Sequence, residues 1–307
     1  MRIAIIGQQA FGKAALDAFT ERGHTVAGVF VPVTAPSAKP DPIITAAQEK
    51  GLPTFPTASY SAAETIETLR QLSADLAIMA YVLQFVPQTF CQVPRLGTIQ
   101  FHPSLLPQHR GPSSINWPII LGKTGTGLTI FRPVDGLDEG PVILQRQVEI
   151  GPDDTVGSVY FDKIFPLGVA ALIEAAELVF DGKAQERVQD ESGASYEGWV
   201  REAESRINWA NPVDIVYDLI RGCNPAPGAW SVAAGRKLHL FDSRKIVARN
   251  FAEVKGLKTG EVVATSASHF TVHAQGGFIE VHRCRFANGK KITGGEAGLI
   301  VGDLLGD

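Results

Sequence analysis

The chain is poor in cysteine. Its 307 residues hold three, Cys91, Cys223 and Cys284, far apart and odd in number. That excludes a disulfide framework and argues against a zinc site, so no metal is expected. It also fits a reducing, cytoplasmic setting. Long hydrophobic runs are missing too. No stretch approaches the ~18 apolar residues of a membrane span, so no membrane partner is expected. The apolar start, Met1-Arg-Ile-Ala-Ile-Ile-Gly7, is only a strand long and lacks a small-residue cleavage site, which argues against a signal peptide. An excess of positive charge is absent: 28 Lys+Arg stand against 32 Asp+Glu, with a pI near 6.0. No bulk basic character advertises nucleic acid. The charge is uneven, however. Residues 205–307 hold 13 Lys+Arg against 9 Asp+Glu, and the remainder 15 against 23. A mildly basic tail on an acidic body suits an anionic partner; ordinary scatter is the plainer explanation.

Residues for nucleotide chemistry are also lacking. Gly7-Gln-Gln-Ala-Phe-Gly-Lys-Ala14 falls one residue short of a phosphate-cradling loop, because Ala14 stands where Ser or Thr would hold magnesium. The middle glycine of a dinucleotide fingerprint is missing, and the second strand ends in Val31 and Val33 with no acid for a ribose. A tight strand-to-helix turn with Lys13 in solvent is the better explanation of the run.

What is present is the profile of a soluble globular protein, 45% hydrophobic and 20% charged, long enough for two domains. Apolar strand patterns at 2–6, 25–31, 75–80, 98–102, 127–132 and 142–150 alternate with helical patterns after Gly12 and at 43–50, 62–72 and 155–180. That alternation predicts an α/β domain over residues 1–182. Its expected form is a Rossmann-like open, mostly parallel sheet with helices on both faces. Residues 183–205 are polar and read as a linker. After a short helix at 212–221 the chain turns β-rich, with strands at 237–241, 245–248, 260–265, 270–274 and 278–286. Gly276-Gly277 and Asn288-Gly289 are hairpin signals. Residues 206–307 are thus expected to form a small antiparallel β-barrel of OB-like kind.

The run Thr98-Ile-Gln-Phe-His-Pro-Ser-Leu-Leu-Pro-Gln-His-Arg-Gly111 carries the candidate chemistry. Gln100 and His102 are two apart, so an extended chain points both to one face. Pro103 and Pro107 then end the ladder and stiffen the loop. In open α/β sheets ligands bind at such strand ends. A histidine can accept and return a proton near neutrality, and a carboxamide can donate to a developing oxyanion. Taken alone, a histidine at such a place is more often structural than a base. Asp135-Gly-Leu-Asp-Glu-Gly140 places Asp138 at the crest of a glycine-flanked turn, where an acid could orient that histidine. An ordinary Asp-rich turn has the same composition. Arg110 suits an anion or a solvated loop; Tyr81, Phe85 and Trp117 suit a flat ring or a core.

Taken together and in this order, these motifs resemble the folate-dependent formyltransferase family. The matching positions are Gln100-Phe-His102, Ser104-Leu-Leu-Pro107, Arg110-Gly111 and Leu137-Asp-Glu-Gly140. Ile207-Asn-Trp209 and 220–230 resemble the start of the family's C-terminal barrel. The resemblance implies 10-formyltetrahydrofolate as co-substrate, no metal, and catalysis by His102 and Asp138 with Gln100 holding the formyl oxygen. It implies a folate site at Tyr81, Leu83, Phe85, Val86, Ser104, Val134, Asp135, Gly136 and Gly140. It also implies an acceptor side at Arg110 and Gly111. The family's usual residue at position 100 is Asn, so Gln100 carries the carboxamide one methylene further out. The Lys39-Pro-Asp-Pro42 segment, Pro103 after the histidine and Arg283-Cys-Arg-Phe-Ala-Asn-Gly289 look most like the 10-formyltetrahydrofolate hydrolase domain. The basic tail pulls toward methionyl-tRNA formyltransferase, so tRNA stays a candidate acceptor beside other amines and water. A non-catalytic folate-binding protein of Rossmann type is the competing class.

Overall fold

The computed structural model describes residues 1–34 and 39–306. Residues 35–38, in the expected Pro-rich loop, lie outside them. The chain forms two compact units. One comprises Met1–Pro112, Gly127–Val148 and Lys163–Glu197; the other comprises Ser113–Thr126, Glu149–Asp162 and Gly198–Asp307.

The first unit is built on a seven-stranded sheet ordered β3-β2-β1-β4-β5-β6-β7. Its strands are β1 (Arg2–Gly7), β2 (Thr25–Pro32), β3 (Thr54–Thr57), β4 (Leu76–Ala80), β5 (Thr98–His102), β6 (Gly125–Phe131) and β7 (Val142–Glu149). The first five run parallel, and β6 turns antiparallel to β5. Helices α1 (Gln9–Glu21), α2 (Pro42–Glu49), α3 (Ala63–Gln71), α4 (Gln88–Cys91) and α7 (Phe165–Phe180) complete it. β4 is buried at every position and β1 at all but Arg2, as strands covered on both faces must be. Phe11, Ala15, Leu16 and Phe19 make the buried stripe of α1. Each such large apolar side chain contributes about 1.5–3 kcal/mol on burial. Phe11 stacks on Phe101 of β5 at 4.2 Å between ring centroids. Gly168 lets α7 lie against that ring: a Cβ there would stand 2.6 Å from Phe101.

α1 starts at Gln9, so only Gln8 separates it from β1; the helix expected after Gly12 begins four residues earlier. A Cβ on Gly7 would meet the Ala80 carbonyl oxygen at 2.6 Å, and Gly12 packs against Gly7 and Ile43. The glycines serve a close approach of β1, α1 and β4, which accounts for the motif without a nucleotide. The expected single helix over 155–180 is broken. α6 (Val156–Ser158) gives way to a π-helical turn at Val159–Ile164 before α7 begins.

The second unit contains α5 (Asn116–Ile120), α6, α8 (Val213–Gly222) and two antiparallel four-stranded sheets. One is ordered β10-β13-β12-β11 and the other β15-β14-β9-β8. These strands are β8 (Ala229–Ala233), β9 (Arg236–Leu240), β10 (Ser243–Val247), β11 (Val262–Thr265), β12 (Phe270–Ala274), β13 (Gly277–Val281), β14 (Arg283–Phe286) and β15 (Ile292–Thr293). The strand expected at 278–286 breaks at His282, so its halves serve different sheets. On another side Leu304 pairs with Glu261 and Leu305 with Ala233, joining the sheets again. The result is the expected small barrel, filled by Trp209, Leu238, Leu240, Phe270, Val272, Ile279 and Val281 and flanked by α8. Among the described residues no helix is long and apolar enough to cross a membrane.

All three cysteines are buried and free. Burial pushes the Cys223 thiol up to about 12 and those of Cys91 and Cys284 up to about 11. A thiol reagent that needs thiolate is therefore expected to label none of them in the native protein at neutral pH and all three after denaturation. Rapid labelling of any one before unfolding would contradict this packing.

Candidate functional site

β5 lies between β4 and β6, with Met79 and Phe131 opposite Gln100 and Thr129 opposite His102. Gln100 and His102 share a face, as the two-residue spacing requires. The His102 ring is buried, and its Nε2 stands 3.0 Å from the carbonyl oxygen of His109. A carbonyl only accepts, so Nε2 carries a hydrogen. Nδ1 is then the nitrogen left to exchange a proton. It lies 3.6 Å from Asp138 Oδ2, just beyond hydrogen-bond length. The Gln100 carboxamide is half-buried and has no hydrogen-bond partner among the described residues.

The loop after β5 is tied down from inside. Ser104 is fully buried, and its hydroxyl donates to the Gln108 carbonyl at 2.6 Å. Thr129 Oγ1 donates to the Ser104 carbonyl and accepts from Leu106 N–H. Gln145 Nε2 donates to the Leu106 carbonyl at 2.8 Å. The loop so fixed brings Gly111 N–H to 3.0 Å from Asp138 Oδ2. Gly111 has φ +108°, and a Cβ there would stand 2.5 Å from the Glu197 carbonyl. One carboxylate oxygen thus faces both the loop and the histidine.

The turn carrying Asp138 closes under tight constraint. Asp138 is buried with φ +57°. A Cβ on Gly140 would lie 1.5 Å from the Arg132 carbonyl oxygen. Gln189 Nε2 donates to the carbonyls of Asp138 and Gly140, both at 2.8 Å, while its Oε1 accepts from Arg110 at 2.9 Å. Arg110, expected on the acceptor side, is buried and turned inward onto Gln189 and Glu191. The hydrogen bond to Glu191 holds the guanidinium more firmly protonated and holds the Glu191 carboxyl below its usual range. A depressed carboxylate contributes its stability above the ordinary carboxylate pKa, and that contribution disappears as pH falls through the lowered value. His109 Nδ1 meets Glu197 Oε2 at 3.1 Å. Residues 189–197, inside the stretch expected as a linker, therefore brace the whole site.

Tyr81, Leu83 and Phe85 follow β4 with their apolar surfaces exposed, and Val134 and Leu137 are exposed on the neighbouring turn. Gln88 ties the two segments: its N–H donates to Asp135 Oδ1 at 3.3 Å and its Nε2 to the Pro133 carbonyl at 2.6 Å. Gly136 lies beside Glu139 in that turn. Val86 instead points inward, packed with Phe90 and Tyr60. Clustered exposed apolar side chains at a sheet's carboxyl edge are a ligand-binding feature. Tyr81, His109 and Asp138 all carry left-handed backbone, although none is glycine. Strain of that kind collects at functional sites.

Sequence reasoning missed Gln189, Glu191, Glu197, Thr129 and Gln88. Gln189, Thr129 and Gln88 bond backbone atoms and Glu191 and Glu197 bond the Arg110 and His109 side chains, all across tertiary contacts that no spacing in the chain marks.

Residues 1–175 match the formyl transferase family and residues 200–297 match the formyl transferase C-terminal domain. The chain is 34% identical over 301 residues to the human mitochondrial 10-formyltetrahydrofolate dehydrogenase, covering 95% of this chain and 32% of that protein. The chain thus spans about a third of that dehydrogenase's length. It is 32% identical to the methionyl-tRNA formyltransferase of Chloroflexus aggregans, covering 79% of this chain and 80% of that one. The fold matches HypX from Aquifex aeolicus, solved with tetrahydrofolic acid. That match has a TM-score of 0.70 and 20% identity over 96% of this chain and 46% of the other. The chain belongs to the folate-dependent formyltransferase family.

Proposed function

We propose that this chain is a 10-formyltetrahydrofolate-using one-carbon enzyme that releases the formyl group to water or to an amine. Its motifs stand closest to the 10-formyltetrahydrofolate hydrolase domain. The observation that carries the reading is the approach of His102 Nδ1 to Asp138 beside a Gln100 carboxamide that has no partner among the described residues. Folate lies along Tyr81, Leu83 and Phe85 and the turn through Val134, Asp135, Gly136 and Gly140; Val86, expected beside them, packs inward and supports that segment from the core. Ser104 shapes the loop between them. Arg110 and Gly111 frame the acceptor side, Arg110 by positioning its loop and Gly111 by holding Asp138.

The nucleophile adds to the formyl carbon, and the carbonyl becomes an oxyanion that accepts from Gln100 Nε2. The proton lost by the nucleophile passes to His102 Nδ1, with Asp138 beside it. Collapse of the tetrahedral intermediate breaks the bond to the folate nitrogen, which takes up the proton. Water gives formate and tetrahydrofolate; an amine gives a formamide and tetrahydrofolate.

Pure protein incubated with 10-formyltetrahydrofolate alone tests the reading directly. Release of tetrahydrofolate without an acceptor supports the hydrolase. Release that requires methionyl-tRNA or another amine supports a transferase, the second reading, favoured by the 80% of the bacterial enzyme that the chain spans. Folate binding without release would make the chain a binding protein and overturn the proposal. Gln100→Asn, which withdraws the carboxamide by one methylene, is expected to change kcat about 10-fold or more and to shift the ratio of hydrolysis to transfer. Loss of an oxyanion donor outright costs ~10²–10³. Unchanged rate and ratio would dismiss any special role for the longer side chain.

A further inference from the structure

We propose that the barrel of the second unit carries a divalent zinc-class metal site formed by His269, Glu280 and His282. The three are placed by the β12–β13 hairpin. Phe270 pairs with Val281 and Thr271 with Glu280, so His269, one residue before Phe270, faces His282, one residue after Val281. Glu280 and His282 are two apart and share the outward face. His282 Nε2 lies 2.8 Å from Glu280 Oε1, and His269 Nε2 lies 3.3 Å from Glu280 Oε2. The three ligand atoms all fall within 4.8 Å of one another. Tetrahedral zinc with Zn–N and Zn–O near 2.1 Å needs ligand atoms about 3.4 Å apart. Small rotations of the two rings reach that spacing.

The surroundings fit the same purpose. His269 Nδ1 lies 3.0 Å from Ser266 Oγ and 3.1 Å from Ser268 Oγ. A hydroxyl accepting from Nδ1–H leaves the Nε2 lone pair for a metal, the outer-shell arrangement that orients histidine ligands. The Ser266–His269 turn is closed by its own hydrogen bonds. The His282 backbone is held on both sides, by the Asp242 carbonyl and by Gly294 N–H. Arg244 sits opposite Glu280 on β10, yet no ion pair joins them among the described residues, and Glu280 turns to the histidines instead. Two imidazoles and one carboxylate leave one coordination position open for water or an exogenous ligand. Cysteine spacing could not reveal such a site, because none of its ligands is a cysteine and one comes from across a hairpin.

The test uses the whole chain, stripped with chelator and titrated with Zn²⁺ by calorimetry and with Co²⁺ by visible absorption. One equivalent is expected to bind and to raise the melting temperature. His269→Ala, His282→Ala and Glu280→Gln are each expected to weaken binding at least tenfold, and Ser266→Ala by a smaller factor. Zinc is also expected to protect His269 and His282 from diethylpyrocarbonate in the wild-type protein, mapped by mass spectrometry, a readout that needs no variant to fold. No stoichiometric uptake, uptake unchanged in the His269→Ala/His282→Ala variant, or unprotected rings in the zinc-loaded protein would overturn the proposal.

Discussion

His102→Ala is expected to lower turnover of 10-formyltetrahydrofolate by about 10²–10⁴-fold, the range for loss of a positioned acid–base group. The effect should fall on kcat. In the proposed mechanism His102 acts through Nδ1, whereas the exposed apolar side chains proposed to hold the folate belong to Tyr81, Leu83, Phe85 and Val134. Folate affinity should therefore move little. The variant also removes the partner of the His109 carbonyl. An unsatisfied buried acceptor costs about 1–3 kcal/mol, so the melting temperature should fall modestly. Single-turnover release measured beside equilibrium folate binding separates the two effects. Wild-type turnover by a folded His102→Ala protein would remove the histidine from the mechanism. Asp138→Asn keeps the acceptor for Gly111 N–H on one atom but removes the charge beside Nδ1. A loss less than multiplicative in the double variant is expected if the pair acts as a unit.

Gly140→Ala is the second large effect, and it contains no change of chemistry. The added methyl would sit 1.5 Å from the Arg132 carbonyl oxygen and 2.8 Å from its carbon, both backbone atoms that no rotamer can move aside. Real Cβ contacts need at least 3.0 Å. The turn must open by more than an ångström, and Asp138 lies two residues away, its carbonyl held by the same Gln189 amide as that of Gly140. A shift of about 1 Å in a catalytic group costs on the order of 10²-fold in rate. Overpacking adds about 1–3 kcal/mol of destabilisation. Gly198→Ala, where a Cβ meets nothing within 4 Å, is the matched control. Circular dichroism, melting temperature and kcat on the two variants decide the matter. A Gly140→Ala protein as active as the Gly198→Ala control would mean the turn geometry is irrelevant to catalysis.

The long apolar strands and the helices of the first unit were legible because burial on both faces leaves continuous Ile, Val and Ala runs. The hairpins at Gly276 and Asn288 were legible because their turn residues are chemically specific. Short elements were not. Thr54–Thr57 contains Pro56, tolerable because β3 is an edge strand, yet in sequence a proline argues against a strand. In Ala229–Ala233 the inward face is Ala229, Ser231 and Ala233 while Trp230 and Val232 are the less buried side chains, so the apolar alternation does not mark the core side. The π-turn at Val159–Ile164 left the hydrophobic pattern of a continuous helix intact. In the candidate site, the shared face of Gln100 and His102 was readable from their two-residue spacing and the Asp138 turn from its glycines, while their joint role was implied only by the family resemblance. Gln189 was not, because its partners lie about fifty residues away and are backbone atoms.

The left-handed backbone at Tyr81, His109 and Asp138 has a consequence for how this protein tolerates change. Each such residue costs about 1–2 kcal/mol against the ordinary helical or extended forms. Glycine would relieve that cost, offset in part by its greater freedom in the unfolded chain. A screen for thermal stability alone would therefore pull these three positions toward glycine. It would trade away the Tyr81 ring, the His109 imidazole and the Asp138 carboxylate at the candidate site, so under the proposed function stability and activity would be set against each other there.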